Sequence, residues 1–188
     1  MNQGKLIIFA APSGAGKTSI VKSLLEQNFP LTFSVSATTR SKRQDEIDGK
    51  DYFFLTKEQF KEKISAGDFL EWEEVYAETY YGTLKSEVDK LLEKGENVLF
   101  DVDVLGAINI KKIYADQALA LFVKPPSVDA LIERLKNRGT ENDESLKRRV
   151  DKSTYELSFE QNFDKTIVNN HLEEAQNQAK QIILNFIK

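Results

Sequence analysis

One short segment near the start of the chain constrains its fold more than any other feature. The segment consists of Ala11-Pro12-Ser13-Gly14-Ala15-Gly16-Lys17-Thr18. An apolar run from Lys5 to Ala10, which predicts a buried strand, precedes it, and a segment with helical periodicity follows it. The pattern matches G-x-x-x-x-G-K-[ST] except that Ala11 takes the place of the first glycine. The sequence therefore predicts a strand, a tight turn and a helix in that order.

The residue types in this turn are those that bind phosphate groups. Glycines let successive backbone N–H groups turn inward around an anion, and the helix that follows points its positive end at the same place. Lys17 adds a point charge for the β- and γ-phosphates, and the Thr18 hydroxyl can ligate Mg²⁺. We call residues 11–18 the phosphate loop and predict that it binds a nucleoside triphosphate with Mg²⁺. The alternative is an ordinary glycine-containing turn between a strand and a helix.

Short apolar runs recur along the chain, and helical periodicity follows each of them. They lie at Lys5 to Ala10, Asn97 to Val102, Leu119 to Val123 and Thr166 to Val168. Such alternation predicts an α/β fold in which helices cover both faces of a parallel sheet. With 188 residues and 40% hydrophobic side chains, the chain is long enough to form one domain with its own core.

Several residues mark the ends of the predicted helices. The expected N-caps are Thr56, Ser127 and Asn170, and the expected C-terminal glycines are Gly67 and Gly95. Gln59 stands three residues after Thr56, so the two side chains are expected to form a capping box. The helix that ends at Gly95 is expected to start at about Leu84.

Two stretches interrupt the alternation of strands and helices. The first runs from about Ser34 to Tyr81 and combines short strands with a charged loop. The second runs from about Val128 to Tyr155, is helical, and is rich in Arg and Lys. We interpret both as insertions beside the carboxyl edge of the sheet, where open α/β sheets bind their ligands.

Composition and charge exclude several classes of protein. The formal net charge of -4 argues against general nucleic-acid binding, which needs a surplus of Lys and Arg on one face. With no cysteine, the chain forms no disulfide and no thiolate zinc site. The sequence shows neither an export signal nor a membrane span, so we expect a cytoplasmic location and no membrane partner.

An acidic residue ends the predicted strand Val98-Leu99-Phe100-Asp101. A carboxylate in this position is costly to bury unless it faces a metal or hydrogen-bond donors, so Asp101 is our candidate for orienting the Mg²⁺ shell. The alternative is that Asp101 caps the next helix. Asp103 would lie on the same face of the strand if the strand extends that far.

Further blocks along the chain make the sequence resemble the guanylate kinase family. Beside the phosphate loop they are Ser34-Val35-Ser36-Ala37-Thr38-Thr39-Arg40 with Arg43, Gly49-Lys50-Asp51-Tyr52-Phe53, Phe69-Leu70-Glu71-Trp72, Tyr80-Tyr81-Gly82-Thr83, Asp101-Val102-Asp103, Pro125-Pro126-Ser127, Arg138-Gly139-Thr140 and Val168-Asn169. The blocks follow the family's order and approximate spacing over nearly the whole chain. The resemblance implies a P-loop kinase fold and Mg²⁺-dependent transfer of the ATP γ-phosphate to GMP, and to dGMP, giving ADP and GDP in purine nucleotide metabolism.

The resemblance also implies three parts within a single domain of residues 1–188. The core would consist of residues 1–33, 82–126 and 156–188. Residues 34–81 would form a GMP-binding region, and residues 127–155 would form a lid that closes over ATP.

Site residues carry over from the family's motifs to the matching positions of this sequence. For ATP they are Ala11, Pro12, Ser13, Gly14, Ala15, Gly16, Lys17, Thr18, Ser19, Arg138 and Asn169. For GMP they are Ser36, Arg40, Arg43, Tyr52, Glu71, Tyr81, Thr83 and Asp103. The implied catalytic residues are Lys17, Arg40, Arg134, Arg138 and Arg149, and the implied Mg²⁺ ligands are Thr18 and Asp101.

The chemistry of the implied GMP residues agrees with a guanine nucleotide. Guanine presents two neighbouring donors, N1–H and the 2-amino group, beside the O6 acceptor, and Glu71, Asp103 and Ser36 suit these groups. Adenine would leave a buried carboxylate unpaired, which discriminates strongly against AMP. Guanidinium forks hold phosphate oxygens bidentately, which suits Arg40 and Arg43.

Some residues in these blocks have a second interpretation. Composition alone favours aromatic packing for Tyr80 and Tyr81 and a solvated loop for Arg40 and Arg43, and the surrounding blocks reverse that preference. The stretch from Tyr76 to Thr79 is one residue longer than the commonest family spacing. His171, the only histidine, is expected at the surface or at a helix cap, without a catalytic role.

Two other classes of protein remain as alternatives. The first is a non-catalytic guanylate-kinase-like module that binds protein partners, but this chain retains Lys17 and the lid arginines. The second is a GTPase, but the chain lacks an Asn-Lys-x-Asp guanine motif. The sequence leaves open the oligomeric state and the strictness for ATP as donor.

Overall fold

The computed structural model describes residues 3–27, 29–136 and 143–188. Within these ranges the strands are β1 (Leu6–Ala10), β2 (Thr32–Phe33), β3 (Ala37–Thr38), β4 (Phe53–Phe54), β5 (Phe69–Tyr76), β6 (Thr79–Leu84), β7 (Val98–Asp101), β8 (Ala118–Lys124) and β9 (Lys165–Val168). The α-helices are α1 (Lys17–Glu26), α2 (Lys57–Ala66), α3 (Lys85–Glu93), α4 (Val104–Tyr114), α5 (Val128–Lys136), α6 (Asp143–Leu157) and α7 (Leu172–Ile187). Two single-turn 3₁₀ helices, Ala115–Gln117 and Glu160–Asn162, complete the described elements.

The larger sheet is parallel and has the strand order β2-β7-β1-β8-β9. β1 lies at its centre, where it pairs with β7 on one side and β8 on the other, and it is buried along its whole length because helices cover both faces. The four strands predicted from apolar runs are confirmed. β2 was not predicted, because two residues are too few to show a periodic pattern.

Helices cover both faces of this sheet, as the α/β prediction requires. On one face, α1 and α7 pack against alternate residues of β1, including Ile7 and Phe9. On the other face, α3 and α4 pack against Leu6 and Ile8. The side chains of β1 alternate between two apolar cores because successive residues of a strand point to opposite faces. Across the described residues, no helix has both the length and the apolar composition needed to cross a bilayer.

The first insertion forms a second sheet with the strand order β4-β3-β6-β5. It has its own apolar cluster, in which the Phe60 ring stacks 4.3 Å from the Phe69 ring and 5.5 Å from the Tyr80 ring, measured between centroids. Packing is therefore the role of Tyr80, as the aromatic interpretation expected. This sheet extends through β6 to Leu84, three residues beyond the boundary expected at 81, and the division into core, GMP-binding region and lid stays a prediction.

Most of the predicted helix ends agree with the structure. Thr56 and Gln59 form the capping box, and Gly67 and Gly95 follow their helices with positive φ. The Ser127 hydroxyl accepts a hydrogen bond from the Ala130 N–H at 3.1 Å, which confirms it as a cap.

The prediction for Asn170 was wrong. Helix α7 begins at Leu172 and its N-cap is the exposed His171, whose carbonyl accepts the first helical hydrogen bond from the Ala175 N–H. The Asn170 N–H instead bonds to the Val168 carbonyl, so this residue belongs to the turn that leaves β9.

We predict that Phe60→Ala lowers the free energy of unfolding by about 3–5 kcal/mol, because it empties the centre of the second sheet's apolar cluster. Chemical denaturation followed by circular dichroism measures this change. Ile113→Ala is the matched control, since Ile113 is exposed on α4 and its removal should change stability by no more than about 0.5 kcal/mol. Equal effects of the two changes would contradict a separate apolar cluster around Phe60.

Candidate active site

The backbone of the phosphate loop makes the tight turn that its sequence predicts. Gly14 and Gly16 have φ values of 89° and 92°, a region that L side chains rarely adopt. The Ala15 N–H bonds to the Pro12 carbonyl at 3.1 Å, and α1 begins directly after Gly16. A Cβ atom on Gly16 would lie 2.2 Å from Asn169 Nδ2, so packing as well as conformation requires glycine there. The loop thus presents the N-terminus of α1 to a ligand.

Asn169 supports the phosphate loop from behind. It is buried at the end of β9, and its Nδ2 donates to the Ala15 carbonyl at 2.7 Å. The Asn169 carbonyl in turn accepts a hydrogen bond of 2.8 Å from Arg134 Nη2. Asn169 therefore contacts the back of the loop and Arg134 contacts Asn169, and their assigned roles toward ATP and catalysis stay predictions. Arg138, with Gly139 and Thr140, lies outside the described residues.

A cavity of about 510 Å³ opens in front of the phosphate loop. Its lining consists of Ala11, Pro12, Ser13, Gly14, Gly16, Lys17, Thr18, Ser19, Asp101, Val102, Asp103, Arg149, Lys152 and Glu156. The volume falls within the range of small-molecule sites. The structure therefore gathers most of the residues assigned to ATP, both assigned Mg²⁺ ligands and Arg149 around one space, while Ala15 is buried beneath it.

Lys17 crosses this cavity to the end of β7. Its Nζ lies 2.8 Å from Asp101 Oδ1 and also donates to the Val102 carbonyl. The Lys17 and Asp101 side chains are 17% and 20% exposed, so the ion pair is largely shielded from solvent. Asp101 therefore faces the phosphate loop and does not cap the next helix.

Asp103 takes the capping role that was considered for Asp101. β7 ends at Asp101, so the strand does not extend to Asp103 and the condition for a shared strand face is not met. Asp103 Oδ1 accepts a hydrogen bond of 2.9 Å from the Gly106 N–H and thereby begins α4.

The donors in this cavity fit a Mg²⁺ ion that arrives with a nucleotide. The Thr18 hydroxyl and the Asp101 carboxylate line the same space. Among residues 3–27, 29–136 and 143–188 there is no cluster of three or more His, Cys, Asp or Glu side chains suited to a metal. Mg²⁺ commonly binds one or two carboxylates together with waters and substrate phosphates, so a single carboxylate beside a hydroxyl is an adequate protein contribution.

A second cavity, of about 190 Å³, adjoins the first. Its lining consists of Ser36, Tyr52, Glu71, Glu73, Tyr81, Gly82, Asp101, Val102 and Asp103. Residues 101–103 line both cavities, so a ligand in one lies directly beside a ligand in the other. Five residues that the sequence analysis assigned to GMP meet here, although they come from separate parts of the chain.

Glu71 is the most perturbed acid of the second cavity. It lies opposite Thr83 in the β5–β6 pair, and the Thr83 hydroxyl donates to Glu71 Oε1 at 2.6 Å. Burial, reinforced by the nearby Asp103 charge, raises the pKa of Glu71 to about 7 against the lowering effect of Thr83. Hydrogen-bond donors from a ligand would favour the ionised form of this carboxylate.

The additional residue between Glu71 and Tyr81 lies in an irregular part of the β5–β6 hairpin. The register shifts between Glu74 and Tyr76, and the chain reverses at Ala77 and Glu78, where Glu78 has a φ of 58°. From Glu71 to Glu74 the pairing is regular, with Thr83 opposite Glu71, and the register shifts again between Phe69 and Glu71. Within the regular stretch Tyr81 lines the second cavity and Thr83 bonds to Glu71.

Arg40 lies next to the second cavity and is held by Glu46. Its Nη1 and Nη2 atoms lie 2.9 and 2.7 Å from the two Glu46 carboxylate oxygens. This pairing raises the pKa of Arg40 and lowers the pKa of Glu46 to about 2. Arg43 is exposed, and its backbone N–H also donates to Glu46, at 2.8 Å. The sequence analysis missed Glu46, because residues 40–46 form a loop in which no periodic spacing indicates which side chains meet.

Helix α6 contacts the phosphate loop at Ser13. Arg149 Nη2 donates to the Ser13 hydroxyl at 2.9 Å, and Ser153 donates to the Ser13 carbonyl at 3.4 Å. The Ser13 backbone N–H also acts to lower the pKa of Glu156, against the larger effect of burial. These three residues share one helical face because they are spaced by four and three positions. The sequence analysis identified Arg149 and missed Ser153 and Glu156.

Glu156 is an unusual acid in this cavity. It is buried, its Oε2 atom has no hydrogen-bond partner among the described residues, and burial raises its pKa. Lys152 Nζ lies 4.0 Å from its Oε1 atom. The positive charges of Lys152 and Lys17 both act to lower the pKa of Glu156. The carboxylate therefore depends on neighbouring cations and on the loop N–H.

Known proteins provide an independent comparison with this geometry. A model of the guanylate kinase family matches residues 3–185. Guanylate kinase of Bacteroides thetaiotaomicron is 52% identical over 184 residues, which cover 98% of this chain and 90% of that protein. Guanylate kinase of Porphyromonas gingivalis is 48% identical, over 97% of this chain and 98% of that protein.

A solved structure agrees with the fold as well. The crystal structure of guanylate kinase from Anaplasma phagocytophilum superposes with a TM-score of 0.75 at 27% sequence identity. The match covers 100% of this chain and 88% of the other. The family model spans nearly all of the sequence, and the relatives share about half of its residues. The chain therefore belongs to the guanylate kinase family of nucleoside monophosphate kinases.

Proposed function

We propose that the protein transfers the γ-phosphate of ATP to GMP, and also to dGMP, in the presence of Mg²⁺, and thereby returns GMP to purine nucleotide metabolism. The observation that carries the proposal is the contact between the two cavities at residues 101–103. One cavity is built on the phosphate loop and the other on carboxylates that suit guanine. Phosphoryl transfer requires this arrangement, because the donor and acceptor phosphates must meet in line.

The donor side is the first cavity. The N–H groups of the phosphate loop and the N-terminus of α1 would hold the β- and γ-phosphates of ATP. Lys17 would turn from Asp101 toward these phosphates when the nucleotide binds. Its Nζ atom already lies between the phosphate loop and residues 101–102. Thr18 and Asp101 would hold Mg²⁺, which when bound neutralises charge on the β- and γ-phosphate oxygens.

The acceptor side is the second cavity. Glu71 and Asp103 would accept hydrogen bonds from N1–H and the 2-amino group of guanine, and Ser36 would donate to O6. Arg40 and Tyr81 stand beside the position expected for the acceptor phosphate, and Arg43 is on the same loop. The assigned contacts go to the base and the phosphate and not to the ribose, which is why we extend the proposal to dGMP.

Catalysis in this arrangement consists of positioning, charge neutralisation and exclusion of water. Lys17 and Arg149 line the donor cavity, and Arg40 lies on the acceptor side, so cations approach the transferred group from both sides. The contacts of α6 with Ser13 support closure of the lid, residues 127–155, against the phosphate loop. Residues 34–81 would close from the acceptor side.

A coupled assay of ADP release with Mg·ATP tests the proposal. GMP, dGMP, AMP, CMP, UMP, dTMP or no acceptor is supplied in separate reactions. We expect release only with GMP and dGMP, and we expect chelation of Mg²⁺ to abolish it. Absence of release with every acceptor, from protein shown to be folded, would favour a non-catalytic binding module on the same fold.

We predict that Lys17→Ala reduces kcat by about two to three orders of magnitude, because it removes a charge that stabilises the transition state. The variant should still fold, as circular dichroism would show, although its melting temperature should fall because Asp101 loses its shielded ion-pair partner. Lys22→Ala, which removes an exposed lysine from the same helix, is the matched control and should leave kcat unchanged. A Lys17→Ala enzyme with near-normal turnover would contradict the assigned role of the loop lysine.

We predict that binding of guanosine weakens about tenfold from pH 8 to pH 6, because Glu71 has a pKa of about 7 and must be ionised to accept from guanine. The raised pKa means that the proton is bound below pH 7 and is lost above it, so affinity falls as the pH falls. Calorimetric titration with guanosine avoids the titration of the GMP phosphate. The Glu71→Gln variant should bind more weakly and lose this pH dependence. An unchanged pH profile in that variant would assign the titration to another group.

A further inference from the structure

The loop between β3 and β4 holds a carboxylate between two arginines. Glu46 bonds to both terminal nitrogens of Arg40 and to the backbone N–H of Arg43. The Glu46 N–H bonds to the Arg43 carbonyl at 3.3 Å, so the two residues also close a turn. The Arg40 and Glu46 side chains are only 21% and 16% exposed. The carboxylate is therefore an integral part of this loop.

The pairing uses one edge of the Arg40 guanidinium. A guanidinium has five N–H donors, and Glu46 together with the Ser41 carbonyl occupies three of them, on Nη1 and Nη2. The donors on the other edge, Nε and Nη2, are directed away from Glu46 and suit a second bidentate partner. The Tyr81 side chain, from a residue that lines the second cavity, also acts to raise the pKa of this guanidinium. Glu46 thus leaves a donor edge available for a phosphate.

Aromatic rings fix the plane of the same guanidinium. The Arg40 Cζ atom lies 5.2 Å from the centre of the Tyr52 ring and 5.7 Å from that of Phe54. The rings restrict the tilt of the guanidinium, and Glu46 restricts its rotation within the plane. An arginine held in this way loses less rotamer entropy when it binds a ligand.

Charge alone would argue against a carboxylate here. Arg40 and Arg43 carry two positive charges, and Glu46 reduces their sum to one, which weakens long-range attraction of a phosphate dianion. If Glu46 were a placeholder that the phosphate displaces, its removal would strengthen GMP binding. If it is a support, its removal would weaken GMP binding. The bond to the Arg43 backbone favours a support, since this anchor does not depend on Arg40.

We propose that Glu46 is a positioning residue for the acceptor phosphate, which fixes the guanidinium of Arg40 and the loop that carries Arg43. This inference rests on the proposed function, because it takes the acceptor to be a nucleoside monophosphate. Glu46 does not touch the substrate. It acts through the two arginines, so its loss should affect recognition of the phosphate and spare recognition of the base.

The test compares GMP with guanosine on the Glu46→Gln variant. Glutamine keeps the shape but cannot accept from both guanidinium nitrogens. We expect the Kd of GMP, measured by calorimetry, to rise about ten- to hundredfold, while the Kd of guanosine stays within about twofold. The KM for ATP should not change, and Glu46→Asp should recover part of the lost GMP affinity.

Asp45→Asn is the matched control, because it removes an exposed negative charge from the adjacent position of the same loop. It should leave both affinities within about twofold. Tighter GMP binding by Glu46→Gln would overturn the proposal in favour of a placeholder. Equal losses for GMP and guanosine, or no loss, would overturn it as well. Turnover of GMP by the unmodified enzyme decides the proposed function separately from these affinity ratios.

Discussion

The pairing of β1 with β7 is the interaction on which the rest of the site depends. Its register places Phe9 beside Asp101, and the Val102 N–H bonds to the Phe9 carbonyl at 3.3 Å. The phosphate loop and the acidic segment after β7 therefore leave the sheet together at the same edge. A shift of one residue would turn every side chain of β7 to the opposite face and separate Asp101 from Lys17. The apolar cores on both faces of β1 oppose such a shift.

The sequence predicted the parts of this molecule that depend on residues close together along the chain. The central strands, the phosphate loop and the Thr56 capping box follow from short patterns, and the structure agrees with them. The family motifs pointed to Glu71 and Tyr81, and both residues line the second cavity although the hairpin that joins them is irregular. The surroundings of Glu156 could not be predicted in the same way, because tertiary folding brings Ser13 and Lys17 to this carboxylate. The start of α7 and the capping role of Asp103 were missed because one or two residues of backbone decide them.

Acids in this site illustrate how surroundings divide one residue type into different roles. Glu71 lies in a buried cavity and its pKa rises to about 7, whereas Glu46 lies against a guanidinium and its pKa falls to about 2. Glu71 can accept further hydrogen bonds, and a guanine base has the donors to supply them. Glu46 is already satisfied by the protein and remains ionised throughout the physiological range. The acceptor side thus separates recognition of the base from orientation of the phosphate.

The contacts that α6 makes with Ser13 have a thermodynamic consequence. The hydroxyl and the carbonyl of this one loop residue are both bound by one helical face. If docking of α6 stabilises the loop conformation that binds a ligand, the bound ligand stabilises the docked helix by the same coupling free energy, because linkage between two equilibria is reciprocal. A change on the far side of α6 that loosens its docking would therefore weaken nucleotide binding without touching the nucleotide.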